Sequence, residues 1–151
     1  MTENTQDTTN TQGSIPKWFT IAATLALVWN LMGVLAFVGQ VTMTDEMMAQ
    51  LPQAEQTLYR TIPLWATIAF ACAVFAGALG SLALLMKKVL AQPLLILSLA
   101  GVIIQMFHAF IISNSFEVLG ASGAIMPIMV VIIAIALVRW VSKAKAQHWL
   151  S

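Results

Sequence analysis

The chain has 151 residues, of which 60% are hydrophobic and 9% are charged, and its mean hydropathy is +0.87. Soluble domains carry about 25% charged residues, so this composition excludes an ordinary soluble domain. The net charge of +1 and the pI near 7.9 argue against a nucleic-acid or acidic partner. The single cysteine, Cys72, excludes a disulfide framework.

The chain begins with a polar segment, residues 1–15, that is rich in Thr, Asn and Gln. Such a segment buries too little apolar surface to offset the conformational entropy that it loses on ordering. The sequence therefore predicts a disordered cytoplasmic tail here.

Four long apolar stretches follow this segment. A membrane span needs roughly 20 mainly apolar residues to cross a hydrocarbon core of about 30 Å. The stretches that meet this requirement are about 18–40, 62–86, 90–112 and 122–141. None has the polar stripe of a helix in a soluble bundle. We predict an all-α, integral membrane four-helix bundle over residues 16–142, in contact with the lipid bilayer and followed by a basic cytoplasmic tail, residues 143–151.

The Lys and Arg residues predict the orientation of this bundle. Of the seven, only Arg60 falls in an outer loop, and the other six flank the opposite ends of the spans: Lys17, Lys87, Lys88, Arg139, Lys143 and Lys145. Basic residues near span ends tend to remain in the cytoplasm. Both termini are therefore predicted to be cytoplasmic.

The first outer loop, residues 41–61, has helix signals of its own. Thr44 can act as an N-cap, and the acidic residues Asp45 and Glu46 suit the first turn of a helix. Pro52 ends that helix, and residues 53–60 can form a second one. We predict an interfacial helical segment that lies on the outer leaflet or covers the bundle.

The second span has a stripe of small residues at a spacing of four: Ala69, Ala73, Gly77 and Ser81. Small residues at this spacing form a groove that lets another helix backbone approach closely in lipid. We predict that this groove packs against the first span, near Ala26, Gly33 and Ala36. A homo-oligomer contact is the alternative use of the same groove.

Three polar side chains within the spans are candidates for a functional site: Asn30, Gln105 and His108. Ionisable groups inside a membrane are costly and mark functional sites by default. Gln105 and His108 are three residues apart and share one helical face. The three can line one polar cavity open to the outside. The alternative is structural, with the amides bonding between helices and His108 as a neutral ring at the interface.

Catalytic and metal-binding patterns are not found in the sequence. It has no Gly-rich phosphate loop, nucleophile elbow or Cys-x-x-Cys motif. Met43, Met47 and Met48 could offer thioether ligands to Cu(I), but no Cys or His lies beside them. We therefore predict no enzyme activity, no metal site and no cofactor.

Several segments resemble a group of small bacterial inner-membrane proteins that are often labelled sugar transporters. The matching segments are PKWFT and WNLMG in the first span, VTMT in the outer loop, LYRTIPLWA at the second span, LSLAGVIIQM in the third and IMPIMVVIIA in the fourth. The resemblance implies the four-span fold and a bacterial inner-membrane location.

Two functions are compatible with these features. The first is a structural or accessory membrane protein that acts through its packing grooves and its outer helix. The second is a carrier for a small polar solute such as a sugar, which would need an oligomer because four helices leave little room for an aqueous path.

Overall fold

The computed structural model describes residues 15–151, apart from the side chains of Phe116, Val118, Leu119 and Ser122. The predicted disordered segment thus lies outside the described residues, except for Ile15. The described chain folds into six α-helices: α1 (Lys17–Val41), α2 (Asp45–Ala49), α3 (Gln53–Arg60), α4 (Leu64–Leu85), α5 (Ala91–Phe107) and α6 (Ser115–Ala146).

Among residues 15–151, four helical segments are long and apolar enough to cross a membrane: Lys17–Val41, Leu64–Leu85, Ala91–Ile112 and Gly123–Ala146. This confirms the predicted all-α, four-span fold, and the protein is a multi-pass membrane protein. We call the end of the bundle that holds Lys17 and Ala146 the terminal side. The opposite end, with α2, α3 and the α5–α6 connection, is the loop side.

The two short helices α2 and α3 lie where the sequence predicts them. The Thr44 hydroxyl accepts a hydrogen bond from the Met47 backbone N–H at 3.2 Å and so caps α2. Pro52 separates α2 from α3, because its ring excludes a continuous helix.

The four spans are arranged in the order α1, α4, α5, α6. Helix α4 packs against both α1 and α5, and α5 packs against α6, whereas α1 and α6 have little backbone contact with each other. Helix α4 is the most buried span because its small residues let both neighbours approach. The arrangement is therefore an arc, with a gap between its two end helices.

The gap closes at the terminal side through aromatic packing. The ring of Phe19 lies 5.2 Å from that of Trp140 and 5.8 Å from that of Trp149, measured between centroids. Leu84 and Val141 are fully buried beside Phe19. This cluster, which we call the terminal plug, joins α1, α4 and α6 at one end of the membrane.

The end of the chain is part of this plug and does not form a separate tail. Helix α6 continues to Ala146 and ends in a Schellman motif, in which the Trp149 N–H donates to the Ala144 carbonyl at 3.0 Å. The Ser151 N–H then donates to the Lys87 carbonyl at 2.7 Å, on the turn between α4 and α5. Residues 147–151 therefore lie against the bundle, with Leu150 buried in the plug.

The loop side contains two departures from regular helix. The end of α5 widens into a π-helical turn, His108–Ile112. Within α6, Gly120 has φ 68° and ψ −171°, a combination that is essentially restricted to glycine. Gly120 therefore separates a short first segment of α6 from its membrane span.

Candidate functional site

Asn30 joins α1 to α4 in the middle of the bundle. Its side-chain amide donates to the Ala26 carbonyl at 2.8 Å and to the Ser81 hydroxyl at 3.0 Å. Its Oδ1 lies against Gly77, where the β-carbon of any other residue would overlap it. An interhelical hydrogen bond of this kind is worth about 0.6–2 kcal/mol in a membrane. Asn30 thus stabilises the interface between α1 and α4.

Helices α4 and α5 are also in close contact. The Ser98 hydroxyl donates to the Ala73 carbonyl at 2.6 Å. A β-carbon at Gly101 would lie 2.7 Å from the Ala69 carbonyl oxygen, so this position has room only for glycine. Ser98 was not among the predicted site residues, although it lies on the same face of α5 as Gly101 and Gln105, at spacings of three and seven.

The four small residues of the predicted groove, Ala69, Ala73, Gly77 and Ser81, are all buried. Their contacts are with α1 and α5 of the same chain, through Asn30, Ser98 and Gly101. Of the predicted partners on α1, Ala26 is buried, and Gly33 faces Val74 of α4. Ala36 lines a cavity instead.

A cavity of about 300 Å³ lies between the four spans, at the gap between α1 and α6. Its described lining is mainly apolar, and representative side chains from each helix are Ala36, Phe70, Val102 and Ala134. Asn30, Ser98 and Gln105 are its described polar residues. We call it the central cavity. Its rim includes Met32 and Met126, which are 56% and 59% exposed, so it opens towards the lipid.

A second, smaller pocket of about 140 Å³ lies nearer the loop side. Its polar lining residues come from three parts of the chain: Gln40 of α1, Tyr59 of α3, and Gln105, His108, Ser113 and Ser115 in and after α5. We call it the polar pocket. A further pocket of about 450 Å³ lies under α3, between Thr57 and His108.

His108 is buried at the start of the π-helical turn, with 7% of its surface exposed. The Trp65 ring meets it edge to face at 5.3 Å, and the Ser113 hydroxyl lies 3.2 Å from its Nε2. The Ser113 N–H bonds to the His108 carbonyl at 2.9 Å, five residues back. This wide turn brings Ser113 over the imidazole, and such turns are frequent at functional sites.

The three candidate polar residues do not share one site. Asn30 and Gln105 line the central cavity, whereas Gln105 and His108 line the polar pocket. Gln105 is therefore common to both, and His108 is separate from Asn30. Among the residues that the structure describes, no group of three or more His, Cys, Asp or Glu could hold a metal ion.

Comparison of the chain with protein-family models, with curated proteins and with solved structures gives no match. The resemblance to small bacterial membrane proteins labelled sugar transporters therefore stays a prediction.

Proposed function

We propose that this protein is a non-catalytic accessory protein of the bacterial inner membrane that binds an apolar molecule taken sideways from the bilayer. The observation that carries this proposal is the central cavity, which has a volume of about 300 Å³, is mainly apolar and is located at the gap between α1 and α6. Cavities lined mainly by apolar side chains with a few polar groups are typical of ligand sites.

The position of the gap favours access from the lipid. The terminal plug closes one end of the bundle through Phe19, Leu84 and Val141, and α3 covers part of the other end beside His108. Between them, the helices that flank the gap are surrounded by the hydrocarbon of the bilayer. An apolar molecule can therefore reach the cavity without passing through water.

The orientation belongs to the same proposal. Six of the seven Lys and Arg residues lie at the terminal side or beside it, and only Arg60 lies at the loop side. By the positive-inside rule, the terminal side faces the cytoplasm. The polar pocket then opens towards the outer face of the membrane.

A carrier for a small polar solute is the second candidate, and the polar pocket favours it. Gln40, Gln105 and Ser113 offer the hydrogen-bond donors and acceptors that such a solute needs. Beyond Asn30, however, the described part of the bundle is closed by the apolar terminal plug, where a polar solute would lose its hydrogen bonds. The central cavity therefore suits an apolar ligand better than a sugar.

A pair of substitutions on α6 tests the proposal. Ala134 lines the central cavity, whereas Ala136, two residues further on, is exposed and lies outside it. We expect Ala134→Trp to fill the cavity and Ala136→Trp to leave it open. Each protein is purified in mild detergent, and its retained lipid is quantified by mass spectrometry.

We expect wild type and Ala136→Trp to retain the same lipid at close to one molecule per chain, and Ala134→Trp to retain little of it. Equal lipid retention by all three proteins, at the same helical content by circular dichroism, would rule out the cavity as the binding site.

A further inference from the structure

The central cavity and the polar pocket are stacked along α5. His108 and Ala109 line the polar pocket, Gln105 lines both, and the cavity continues along the helix to Leu95. At 1.5 Å per residue, Leu95 and Gln105 are about 15 Å apart along the axis. This is about half of a hydrocarbon core of about 30 Å, which is the thickness of one leaflet.

The polar pocket lies just inside the loop-side end of the spans. His108 is four residues from the end of its span at Ile112, which places it about 6 Å from the loop-side end of the helix. The central cavity lies deeper, beside the mid-span residue Asn30, and reaches past the middle of the α5 span to Leu95. The order from the loop side inward is thus polar and then apolar, as in an amphiphile whose head faces the loop side.

The volume of the central cavity suits one hydrocarbon chain. About 300 Å³ holds about ten groups of the size of a water molecule, at about 30 Å³ each. Two chains of leaflet length would not fit this space. A ligand with a single chain in the cavity is the better match, and the carbons of a chain longer than about ten would extend through the gap between α1 and α6 into the lipid.

The chemistry of the polar pocket selects an uncharged head group. Gln40 and Gln105 offer amides that both donate and accept hydrogen bonds, and Tyr59 and Ser113 offer hydroxyls. Among the described residues that line the two pockets, none is Lys, Arg, Asp or Glu. A phosphate or an ammonium group there would be removed from water without a counter-charge, which is unfavourable.

Building on the proposed function, we infer that the occupant is a lipid with an uncharged, hydrogen-bonding head group. Its head lies between Gln105 and His108 in the polar pocket, and one apolar chain extends through the central cavity towards Leu95. Gln105, which lines both pockets, contacts the junction of head and chain. The head group is thereby selected by hydrogen bonding, and the chain by the shape of the cavity.

Two single-chain amphiphiles with the same oleoyl chain test this inference. Mono-oleoylglycerol has an uncharged head with two hydroxyls, and oleoyl lysophosphatidylglycerol has an anionic phosphate. Each is titrated into the full-length protein, stripped of bound lipid in detergent, and binding is measured by native mass spectrometry. We expect wild type to bind mono-oleoylglycerol at least tenfold more tightly.

Gln105→Leu removes the shared amide, and Gln53→Leu makes the same change at an exposed position of α3 outside both pockets. We expect Gln105→Leu to weaken binding of mono-oleoylglycerol about 3- to 10-fold, since it loses one hydrogen bond, and to leave lysophosphatidylglycerol binding unchanged. Gln53→Leu should behave as wild type. If Gln105→Leu does not fold, as judged by circular dichroism, His108→Phe takes its place in the same comparison.

The failures of the two proposals are distinguishable. If Ala134→Trp abolishes binding but wild type prefers the anionic amphiphile, or if Gln105→Leu binds as wild type does, the inference about the head group is wrong and the proposed function stands. If wild type binds neither amphiphile, or Ala134→Trp binds both as wild type does, both proposals are wrong.

Discussion

Gly77 lies where α1, α4 and α5 meet, and its replacement tests the packing of the bundle. In Gly77→Ala, the new methyl group would overlap Oδ1 of Asn30 and lie 2.9 Å from Oγ of Ser98. Both neighbours are held by hydrogen bonds, Asn30 to Ser81 and Ser98 to Ala73. The methyl group can therefore be accommodated only if α1 moves away or the Asn30 amide rotates.

The expected cost follows from these two contacts. Overpacking a close interface costs typically 1–3 kcal/mol. Loss of the Asn30–Ser81 bond adds about 0.6–2 kcal/mol. Alanine also favours a helix interior by about 1 kcal/mol over glycine. We therefore expect Gly77→Ala to lower the free energy of unfolding by about 1–4 kcal/mol, measured by denaturant titration in detergent micelles.

Gly39 provides the matched control, because a β-carbon there would meet nothing within 4 Å. Gly39→Ala should be neutral or slightly stabilising, since alanine favours a helix interior by about 1 kcal/mol over glycine. If Gly77→Ala is as stable as Gly39→Ala, the close packing of α1 on α4 is refuted.

A double-mutant cycle assigns the cost to Asn30. Asn30→Ala removes the amide that the new methyl group would meet, at the cost of its own hydrogen bond to Ser81. The double variant Asn30→Ala, Gly77→Ala should therefore be destabilised by at least about 1 kcal/mol less than the sum of the single variants. Additive costs would show that the two residues are not in contact.

Three further predictions concern other parts of the molecule. Gly120→Ala forces an unfavourable backbone conformation at φ 68°, so we expect a loss of about 1–3 kcal/mol of stability in the same titration, and an unchanged midpoint would contradict it. Leu84 is 0% exposed in the terminal plug, so Leu84→Ala should lower the free energy of unfolding by about 2–4 kcal/mol. Leu82 is 42% exposed on the lipid face, so Leu82→Ala should lower it by less than about 1 kcal/mol. Equal losses would contradict the burial of Leu84. For topology, a membrane-impermeant maleimide added to intact spheroplasts should label Gln50→Cys but not Gln147→Cys, and the reverse pattern would invert the proposed orientation.

The spans were predictable because hydrophobic length is read directly from the sequence. The predicted third span, 90–112, and the observed one, Ala91–Ile112, differ by one residue at the N-terminal end. The helices α2 and α3 were also predictable, because Thr44 and Pro52 act on the chain next to them. Local chemistry therefore accounts for most of the secondary structure.

The relation between His108 and Asn30 was not predictable in the same way. The helical period places Gln105 and His108 on one face of α5, but it does not give the depth at which that face meets α1. The π-helical turn that begins at His108 adds Ser113 to the lining of the polar pocket. The difference in depth along α5 therefore separates His108 from Asn30.

The docking of residues 147–151 escaped prediction because it depends on distant backbone groups. The charged residues Lys143 and Lys145 suggested a solvated tail, whereas Trp149 and Leu150 pack into the terminal plug and Ser151 bonds to the α4–α5 turn. Their apolar character was the available signal. Two apolar residues form too short a segment to predict packing next to charged residues from the sequence alone.

The most direct measurement is a high-resolution structure of the full chain in lipid nanodiscs. We expect a single elongated hydrocarbon chain between α1 and α6, extending from His108 to Leu95, with an uncharged head against Gln105. A structure in which α1 closes against α6, or in which a helix of a second copy fills the central cavity, would contradict lipid binding at this site.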